Sequence, residues 1–207
     1  MRPLTSDLLL KAYALGIFPM ARSRTEPRLY WIDPDQRGIL PLDGFHVPKS
    51  LRKVLKRGGF ELRVDTAFSQ VIEGCARTTR TRPDTWINDQ IATLFIDLYR
   101  LGLAHSVETW QGGRLVGGLY GLALGGAFFG ESMFSTETEA SKVALVDLVA
   151  RLKIGGYRLL DTQFVTEHLV RFGAVEIPRE KYLRMLSDAI ELPAAFPRQP
   201  VAWEAAL

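Results

Sequence analysis

This 207-residue sequence has very little cysteine, no long apolar run and no strong excess of one charge. Cys75 is the only cysteine, which excludes an intrachain disulfide and a cysteine-based zinc site. A single cysteine is also typical of a reducing compartment, so we expect the cytoplasm. No apolar run reaches the roughly 18 residues of a membrane span. The partly apolar residues 1–20 contain Asp7 and Lys11 and precede no small-residue cleavage site, so we expect neither a signal peptide nor a membrane partner.

The small charge excess and the few histidines limit the chemistry that can be expected. The formal net charge is +3, which allows a nucleic-acid partner without requiring one, so any basic surface must be local. His46, His105 and His168 are widely separated, with neither a metal-ligand spacing nor a pairing with serine. We interpret all three as structural and expect no metal site.

What the sequence does have is an ordinary globular composition, with 47% hydrophobic and 24% charged residues, which argues against disorder. We expect a small N-terminal α/β domain over residues 1–59, a larger domain over residues 60–191 and a loose tail over residues 192–207. From Phe60 the predicted order is strand, helices, three antiparallel strands, helix, strand, helix, strand. This order is similar to that of the GCN5-related N-acetyltransferase superfamily, so the predicted fold class is α+β, with a mixed sheet flanked by helices.

Basic residues are concentrated in two segments, a helix predicted over residues 50–57 and a later loop. They are Lys49, Arg52, Lys53, Lys56 and Arg57 in the first segment, and Arg77, Arg80 and Arg82 in the second. Lys49, Lys53 and Lys56 fall on one side of the helix. Two interpretations stay open: a solvated face, or a stripe that binds the phosphates of a nucleic acid. The second segment favours the stripe.

Residues 117–163 are the unit around which the rest of the chain is organised. A run rich in glycine and apolar residues predicts strands over 117–129, and a polar turn is predicted over 130–132. A helix over 138–153 and a buried strand over 157–161 follow. Open α/β sheets build binding sites where polar residues follow strand ends in this way.

Four strings in the second half of the chain carry a resemblance to a known family. They are GESMFS (130–135), ASK (140–142), LDTQ (160–163) and FGAVEIPR (172–179). Further matches are YALGIFP (13–19), DP (33–34), VIEGCA (71–76), TWI (85–87) and LVGG (115–118). The sequence resembles the leucyl/phenylalanyl-tRNA–protein transferases over roughly residues 8–190.

The resemblance implies an aminoacyltransferase that uses neither metal nor coenzyme. Such enzymes take leucine or phenylalanine, and methionine less well, from aminoacyl-tRNA. They attach it to proteins that begin with Arg or Lys, and the product is marked for degradation by the N-end rule pathway. We expect the chain to act as a monomer.

Asp161 and Gln163 are the expected catalytic pair, since the resemblance assigns that role to these positions. The reaction is the aminolysis of an ester by an α-amino group with a reference pKa of about 7.7–8.0, so positioning and proton handling matter most. Residues two apart on a strand share a face. We expect Gln163 to orient the amine, because an amide is a very weak base, and Asp161 to fix Gln163. A helix N-cap is the alternative for Asp161.

The resemblance also implies an aminoacyl pocket. Glu131 and Ser132 would lie beside the aminoacyl group, with a simple turn as the alternative, and Trp86 would pack near the terminal adenosine. The apolar pocket residues implied are Leu119, Phe128, Met133, Leu145 and Leu160, for each of which plain core is the alternative. Met20 stands where many members of the family have tryptophan.

The acceptor's Arg or Lys side chain requires a negative pocket. The candidates are Asp161, Glu131, Glu137 and Glu139. Two other functions are weighed: an acyl-CoA N-acyltransferase of the same fold, and a tRNA-binding protein without catalysis. Residues 135–141 lack the glycines of a pyrophosphate loop and contain two glutamates, which disfavours the first.

Overall fold

The computed structural model describes residues 4–79 and 83–207, whose strands form two sheets. The strands are β1 (Phe18–Ala21), β2 (Leu29–Ile32), β3 (Gln36–Ile39), β4 (Glu61–Val64), β5 (Ala104–Gln111), β6 (Arg114–Leu124), β7 (Ala127–Ser135), β8 (Leu159–Gln163) and β9 (Val175–Pro178). The helices are α1 (Ser6–Ala14), α2 (Lys49–Arg57), α3 (Phe68–Ala76), α4 (Asp89–Arg100), α5 (Ala140–Ile154), α6 (Glu167–Val170) and α7 (Arg179–Ile190). None of these helices is long and apolar enough to cross a bilayer.

The larger sheet has seven strands in the order β4-β5-β6-β7-β8-β3-β9, while β1 and β2 form a separate antiparallel pair. β4 to β7 pair antiparallel in succession, and β7 and β8 are parallel. A parallel pair needs a crossover connection, which α5 supplies, and α5 is buried on most sides. The predicted α+β class, a mixed sheet flanked by helices in the expected order from Phe60 onward, is confirmed.

β3 lies inside this sheet, antiparallel to both β8 and β9. Residues that we predicted within a small N-terminal domain therefore contribute a strand to the main sheet. Gly38 allows a close crossing, because a methyl group there would lie 2.5 Å from the backbone carbonyl carbon of Phe164. The chain that leaves β8 can thus pass directly against β3.

Several predicted boundaries differ from those of the structure. Residues 130–132, predicted as a turn, lie within β7. The helix expected over 138–153 spans 140–154, and the strand expected over 157–161 spans 159–163. The later end of β8 places the whole LDTQ string inside the strand, whereas the predicted strand ended at Asp161.

Residues 192–207 are packed against the domain, although we predicted a loose tail. Arg151 Nη1 donates a hydrogen bond of 2.7 Å to the carbonyl oxygen of Pro197. The ring of Phe196 stacks on that of His105 with the ring centres 4.3 Å apart. The partners of the tail are distant in sequence, which local composition does not reveal.

Candidate active site

A largely apolar cavity of about 290 Å³ lies where β7 and β8 separate. The pairing of these strands ends at Phe129 and Asp161, and the residues that follow on each strand face the cavity. Its lining residues are Phe18, Met20, Trp86, Leu119, Tyr120, Gly130, Glu131, Ser132, Met133, Leu145, Leu148, Leu160, Thr162, Gln163, Phe164, Thr166, His168 and Leu169. Elements from both halves of the chain therefore build one site.

Most of the predicted substrate residues meet at this cavity. The predicted residues that line it are Trp86, Leu119, Glu131, Ser132, Met133, Leu145, Leu160 and Gln163. Phe128, which we predicted to line the pocket, does not reach it and is fully buried. Its ring lies 6.2 Å from that of Tyr157 and 5.7 Å from that of Phe196. The packed tail thus covers Phe128 on the side away from the cavity.

A β-bulge in β7 places Glu131 in the cavity wall. Tyr120 of β6 pairs with Ser132, whereas the next residue, Gly121, pairs with Gly130. Glu131 is therefore an extra residue with no partner in the ladder. Bulges re-aim side chains and are common beside active sites. The polar residues that suggested a turn in the sequence mark this bulge.

The carboxyl group of Glu131 is held in an environment that disfavours its charge. Burial, together with the nearby Asp161, raises the pKa of Glu131 to about 8, although Tyr13 and Arg37 oppose the shift. Tyr13 OH donates a hydrogen bond of 2.8 Å to Glu131 Oε1. Glu131 is consequently mostly protonated at neutral pH, and a cationic ligand beside it would favour ionisation.

Asp161 lies behind the cavity wall and is fully buried. Arg37 Nη2 donates to Asp161 Oδ2 at 2.6 Å, and Arg37 Nε donates to Oδ1 at 3.0 Å. Tyr182 OH donates to Oδ2 at 2.6 Å, and the backbone N–H of Gln163 donates to Oδ1 at 2.7 Å. Asp161 is not a helix N-cap; it is an anchor that binds the backbone of Gln163.

Arg37 is the buried partner of that anchor. Its guanidinium carbon lies 4.5 Å from the ring centres of both Phe18 and Tyr182, and its Nη1 donates to the carbonyl oxygen of Gly16 at 2.7 Å. Cation–π contacts and a bidentate ion pair restrict the guanidinium to one position. The N-terminal segment thereby fixes the position of Asp161.

Gln163 ends β8 in the left-handed region, with φ of 57°. Non-glycine residues rarely adopt this conformation, and functional sites are where such strain concentrates. The Asp161 carboxylate stabilises this conformation by accepting a hydrogen bond from the backbone N–H of Gln163. In the amide orientation that satisfies the hydrogen bonds, Nε2 donates to the carbonyl oxygens of Gly130 at 2.9 Å and Thr162 at 3.2 Å. Nε2 thus holds the side chain against β7, and Oε1 is the atom that can accept a hydrogen bond.

Two hydroxyl groups of cavity-lining residues lack partners. Among the described residues, Tyr120 OH and Thr162 Oγ1 are buried and make no hydrogen bond. A buried polar group without a partner costs about 1–3 kcal/mol. A polar ligand in the cavity would offset this cost.

The candidate carboxylates for the acceptor's basic side chain are not equally available. Asp161 is occupied by Arg37, Glu139 Oε1 pairs with Lys142 Nζ at 2.7 Å, and Glu137 lies 3.7 Å from Arg114. Of these candidates, only Glu131 lines the cavity. No group of three or more His, Cys, Asp or Glu that could hold a metal occurs in residues 4–79 and 83–207.

The predicted basic residues lie on α2 and after α3. Lys49, Lys53, Lys56 and Arg57 are exposed on α2, where Arg52 Nε instead donates to the carbonyl oxygen of Val47 at 3.0 Å. α2 packs against α5, which itself lines the cavity.

The later basic segment is only partly within the described chain. Arg77 lines a neighbouring hollow that also contacts Met133 of the cavity. Arg80 and Arg82 lie outside the described residues.

Sequence reasoning missed Arg37, Tyr182, Tyr13 and His168. Tyr13 is part of the YALGIFP string, which could have marked it. Arg37 and Tyr182 lie outside the quoted strings, and their bonds to Asp161 span 124 and 21 residues. His168 was interpreted as structural, yet it lines the cavity.

Comparison with known proteins agrees with the family resemblance found in the sequence. The family model described as leucyl/phenylalanyl-tRNA protein transferase matches residues 39–187, and that of its N-terminal domain matches residues 2–35. A leucyl/phenylalanyl-tRNA–protein transferase of Paramagnetospirillum magneticum is 67% identical over all of both chains. Those of Rhodospirillum rubrum and Caulobacter vibrioides are 59% and 60% identical, covering 93% of this chain and 91% and 88% of theirs. Among solved structures, L-PGS from Bacillus licheniformis is 15% identical with a TM-score of 0.38, over 79% of this chain and 55% of that chain.

Proposed function

Because the chain belongs to the leucyl/phenylalanyl-tRNA protein transferase family and is an aminoacyltransferase, we propose that it transfers leucine or phenylalanine from aminoacyl-tRNA to proteins. Methionine is a poorer donor residue, and the acceptors carry N-terminal Arg or Lys. The products enter N-end rule degradation in the cytoplasm, and the enzyme acts as a monomer without a cofactor. The observation that carries the proposal is the apolar cavity with Gln163 and Glu131 in its wall.

The cavity suits an unbranched or γ-branched apolar side chain. Six apolar residues surround most of it: Leu119, Met133, Leu145, Leu148, Leu160 and Leu169. Complete burial of a Leu, Phe or Met side chain contributes about 1.5–3 kcal/mol. These six side chains offer no polar partner for a charged donor side chain. We propose that Trp86, which also lines the cavity, stacks on the terminal adenine, a contact that typically contributes about 1–3 kcal/mol.

Gln163 is the residue that we place against the attacking amine. Its Oε1 accepts a hydrogen bond from the amine and orients the lone pair toward the ester carbon. Asp161 acts as a positioning residue, since its carboxylate bonds the backbone N–H of Gln163 and not the side chain. Arg37 in turn holds Asp161 in place.

Glu131 is the residue that we place beside the cationic group of the bound aminoacyl residue. It is the only one of the four candidate carboxylates that lines the cavity, and its pKa of about 8 means that ionisation follows the arrival of a cation. Ser132, its neighbour in the bulge, supplies a hydroxyl group at the same wall.

We propose that the exposed cations of α2 bind tRNA phosphates, with Arg77 and Arg80 as further contacts. The stripe of Lys49, Lys53 and Lys56 has no acidic residue in its own helix. Such a stripe produces binding that weakens steeply with salt.

The residues at the start of α5 argue against the alternative of an acyl-CoA N-acyltransferase. The backbone N–H of Ser141 is already bonded to Ser135 Oγ at 2.8 Å. Glu137 and Glu139 flank this helix start and would repel a pyrophosphate.

The test is transfer of radiolabelled leucine from charged tRNA to a protein that begins with Arg. A protein that begins with Ser and labelled acetyl-CoA serve as controls for acceptor and donor. We expect label only on the Arg protein and only from tRNA. Transfer from acetyl-CoA alone would overturn the proposal, and binding of tRNA without any transfer would favour a non-catalytic protein.

A further inference from the structure

His168 lines the cavity but has no role in the scheme above. Its ring packs edge-on against Phe172, with the ring centres 5.3 Å apart. Thr166 Oγ1 accepts the backbone N–H of Leu169 at 3.3 Å and so fixes the start of α6, which carries His168. Neither ring nitrogen has a hydrogen-bond or ion-pair partner within residues 4–79 and 83–207. The imidazole is thus oriented by packing and free to meet a ligand.

The other two histidines differ from His168 in this respect. His105 Nδ1 lies 2.8 Å from Asp65 Oδ2, and its ring stacks on Phe196. His46 is exposed, and neither residue lines the cavity. The structural interpretation made from the sequence therefore fits His105 and fails to explain His168.

The surroundings of His168 keep the imidazole neutral. Burial lowers its pKa, and the cations of Lys142 on α5 and Arg171 after α6 lower it further, while Glu139 before α5 opposes them. Glu131 faces the same cavity from β7. A neutral imidazole has one nitrogen that accepts a proton and one N–H that donates.

The reaction needs such a group. When the amine attacks the ester carbon, the nitrogen becomes positively charged and must lose a proton, and the departing 3′ oxygen of the ribose must gain one. Gln163 cannot take the proton, because an amide is a very weak base. Glu131 is placed beside the cationic group of the bound aminoacyl residue, so its carboxylate is already paired when the amine attacks. Burial raises the pKa of Tyr120, another lining residue, well above its usual value. His168 is therefore the lining side chain that is suited to accept the proton.

We propose that His168 takes the proton from the attacking amine and delivers it to the 3′ oxygen of the terminal ribose of tRNA. The N–C bond forms, the C–O3′ bond breaks, and the imidazole returns to its neutral state, so protons and charge balance within one turnover. This inference rests on the proposed transfer from tRNA.

The test is the single-turnover rate of leucine transfer, measured from pH 5 to pH 9 at saturating charged tRNA and Arg-terminated acceptor. His168→Gln keeps a polar side chain that cannot carry the proton, and His46→Gln is the matched control outside the cavity. General acid–base catalysis contributes about 10²–10⁴-fold, so we expect His168→Gln to reduce the rate at least about 100-fold with unchanged affinity for charged tRNA. His46→Gln should transfer at the wild-type rate.

The pH profile separates proton transfer from a structural effect. In the wild type, the logarithm of the rate should fall with slope 1 below the pKa of the amine. The slope should approach 2 once His168 is also protonated. His168→Gln should show slope 1 throughout. Glu131 titrates near pH 8, as the amine does, so the comparison of the two proteins uses only the slope at acidic pH, where His168 becomes protonated.

A smaller variant provides a second readout. His168→Ala should regain part of its activity when free imidazole is added, because the small base can occupy the vacated space. A wild-type rate in His168→Gln, or a slope of 2 that persists in it, would overturn the inference and assign the proton to water or to the ribose 2′-hydroxyl. Reduced activity with no imidazole rescue and slope 2 retained would mark His168 as structural. Absence of transfer by the wild type would overturn the proposed function and this inference together.

Discussion

The buried pair Arg37–Asp161 yields the most quantitative prediction. Both side chains are buried, with side-chain exposures of 2% and 0%, so removal of either partner leaves an uncompensated charge in the interior. Such a loss typically costs about 3–5 kcal/mol, whereas loss of both charges costs much less than the sum. We therefore expect Arg37→Met and Asp161→Asn each to lower the free energy of unfolding by about 3–5 kcal/mol.

A double-mutant cycle measured by urea unfolding tests this reasoning. The double variant should be at least about 2 kcal/mol more stable than the sum of the single effects predicts. The exposed pair Asp97–Arg100, whose charged atoms are 3.0 Å apart, is the control. Arg100→Met should show no measurable coupling to its partner, because water screens exposed charges. Additive effects at Arg37 and Asp161 would refute the anchor that we describe.

Three further predictions concern the cavity, the basic helix and the tail. The pKa of Glu131 is raised in the folded protein, so its contribution to stability is complete below its unfolded pKa of about 4.5 and is lost as the pH rises through about 8. In urea titrations, Glu131→Gln should therefore become more stable relative to the wild type over that pH range, by several kcal/mol at most. A difference that does not change with pH would refute the pKa shift. The triple alanine variant of Lys49, Lys53 and Lys56 should reduce the slope of log Kd against log salt by about 2–3, and an unchanged slope would remove the stripe from the tRNA site. Phe196→Ala should cost about 2 kcal/mol in thermal unfolding, whereas a loose tail would give no change.

The sequence predicts the central unit because its signals are local. The glycine-rich strand, the crossover helix and the LDTQ string lie within 47 consecutive residues, 117–163, and the pattern of polar residues at strand ends indicates a site there. Seven of the eight predicted residues that line the cavity belong to this unit, and Trp86 is the exception; their individual roles were implied by the family resemblance.

What the sequence could not predict depends on pairing between distant segments. A short strand such as β3 carries no local mark of its partners, so its place between β8 and β9 was missed. Arg37 was missed for a related reason, since an arginine near a turn is usually exposed and only the fold brings it to Asp161. Phe128 was misplaced because its environment is completed by Phe196 of the tail.

The bulge in β7 is an instructive intermediate case. Gly130, Glu131 and Ser132 have the composition of a turn, and the prediction placed one there. The strand continues instead, with one unpaired residue that directs a carboxyl group into the cavity. The predicted position of Glu131 and Ser132 at a pocket agrees with the structure, although the predicted turn is wrong.

The central claim is that the aminoacyl group of tRNA binds in the cavity between β7 and β8. Calorimetric binding of a 3′-phenylalanylamido adenosine, whose amide replaces the reactive ester, tests it most directly. Leu145→Trp fills the cavity from α5, and Leu101→Trp, at an exposed position after α4, is the matched control. We predict that the wild type and Leu101→Trp bind equally and that folded Leu145→Trp does not bind. Equal binding by Leu145→Trp would place the aminoacyl group elsewhere and contradict the account.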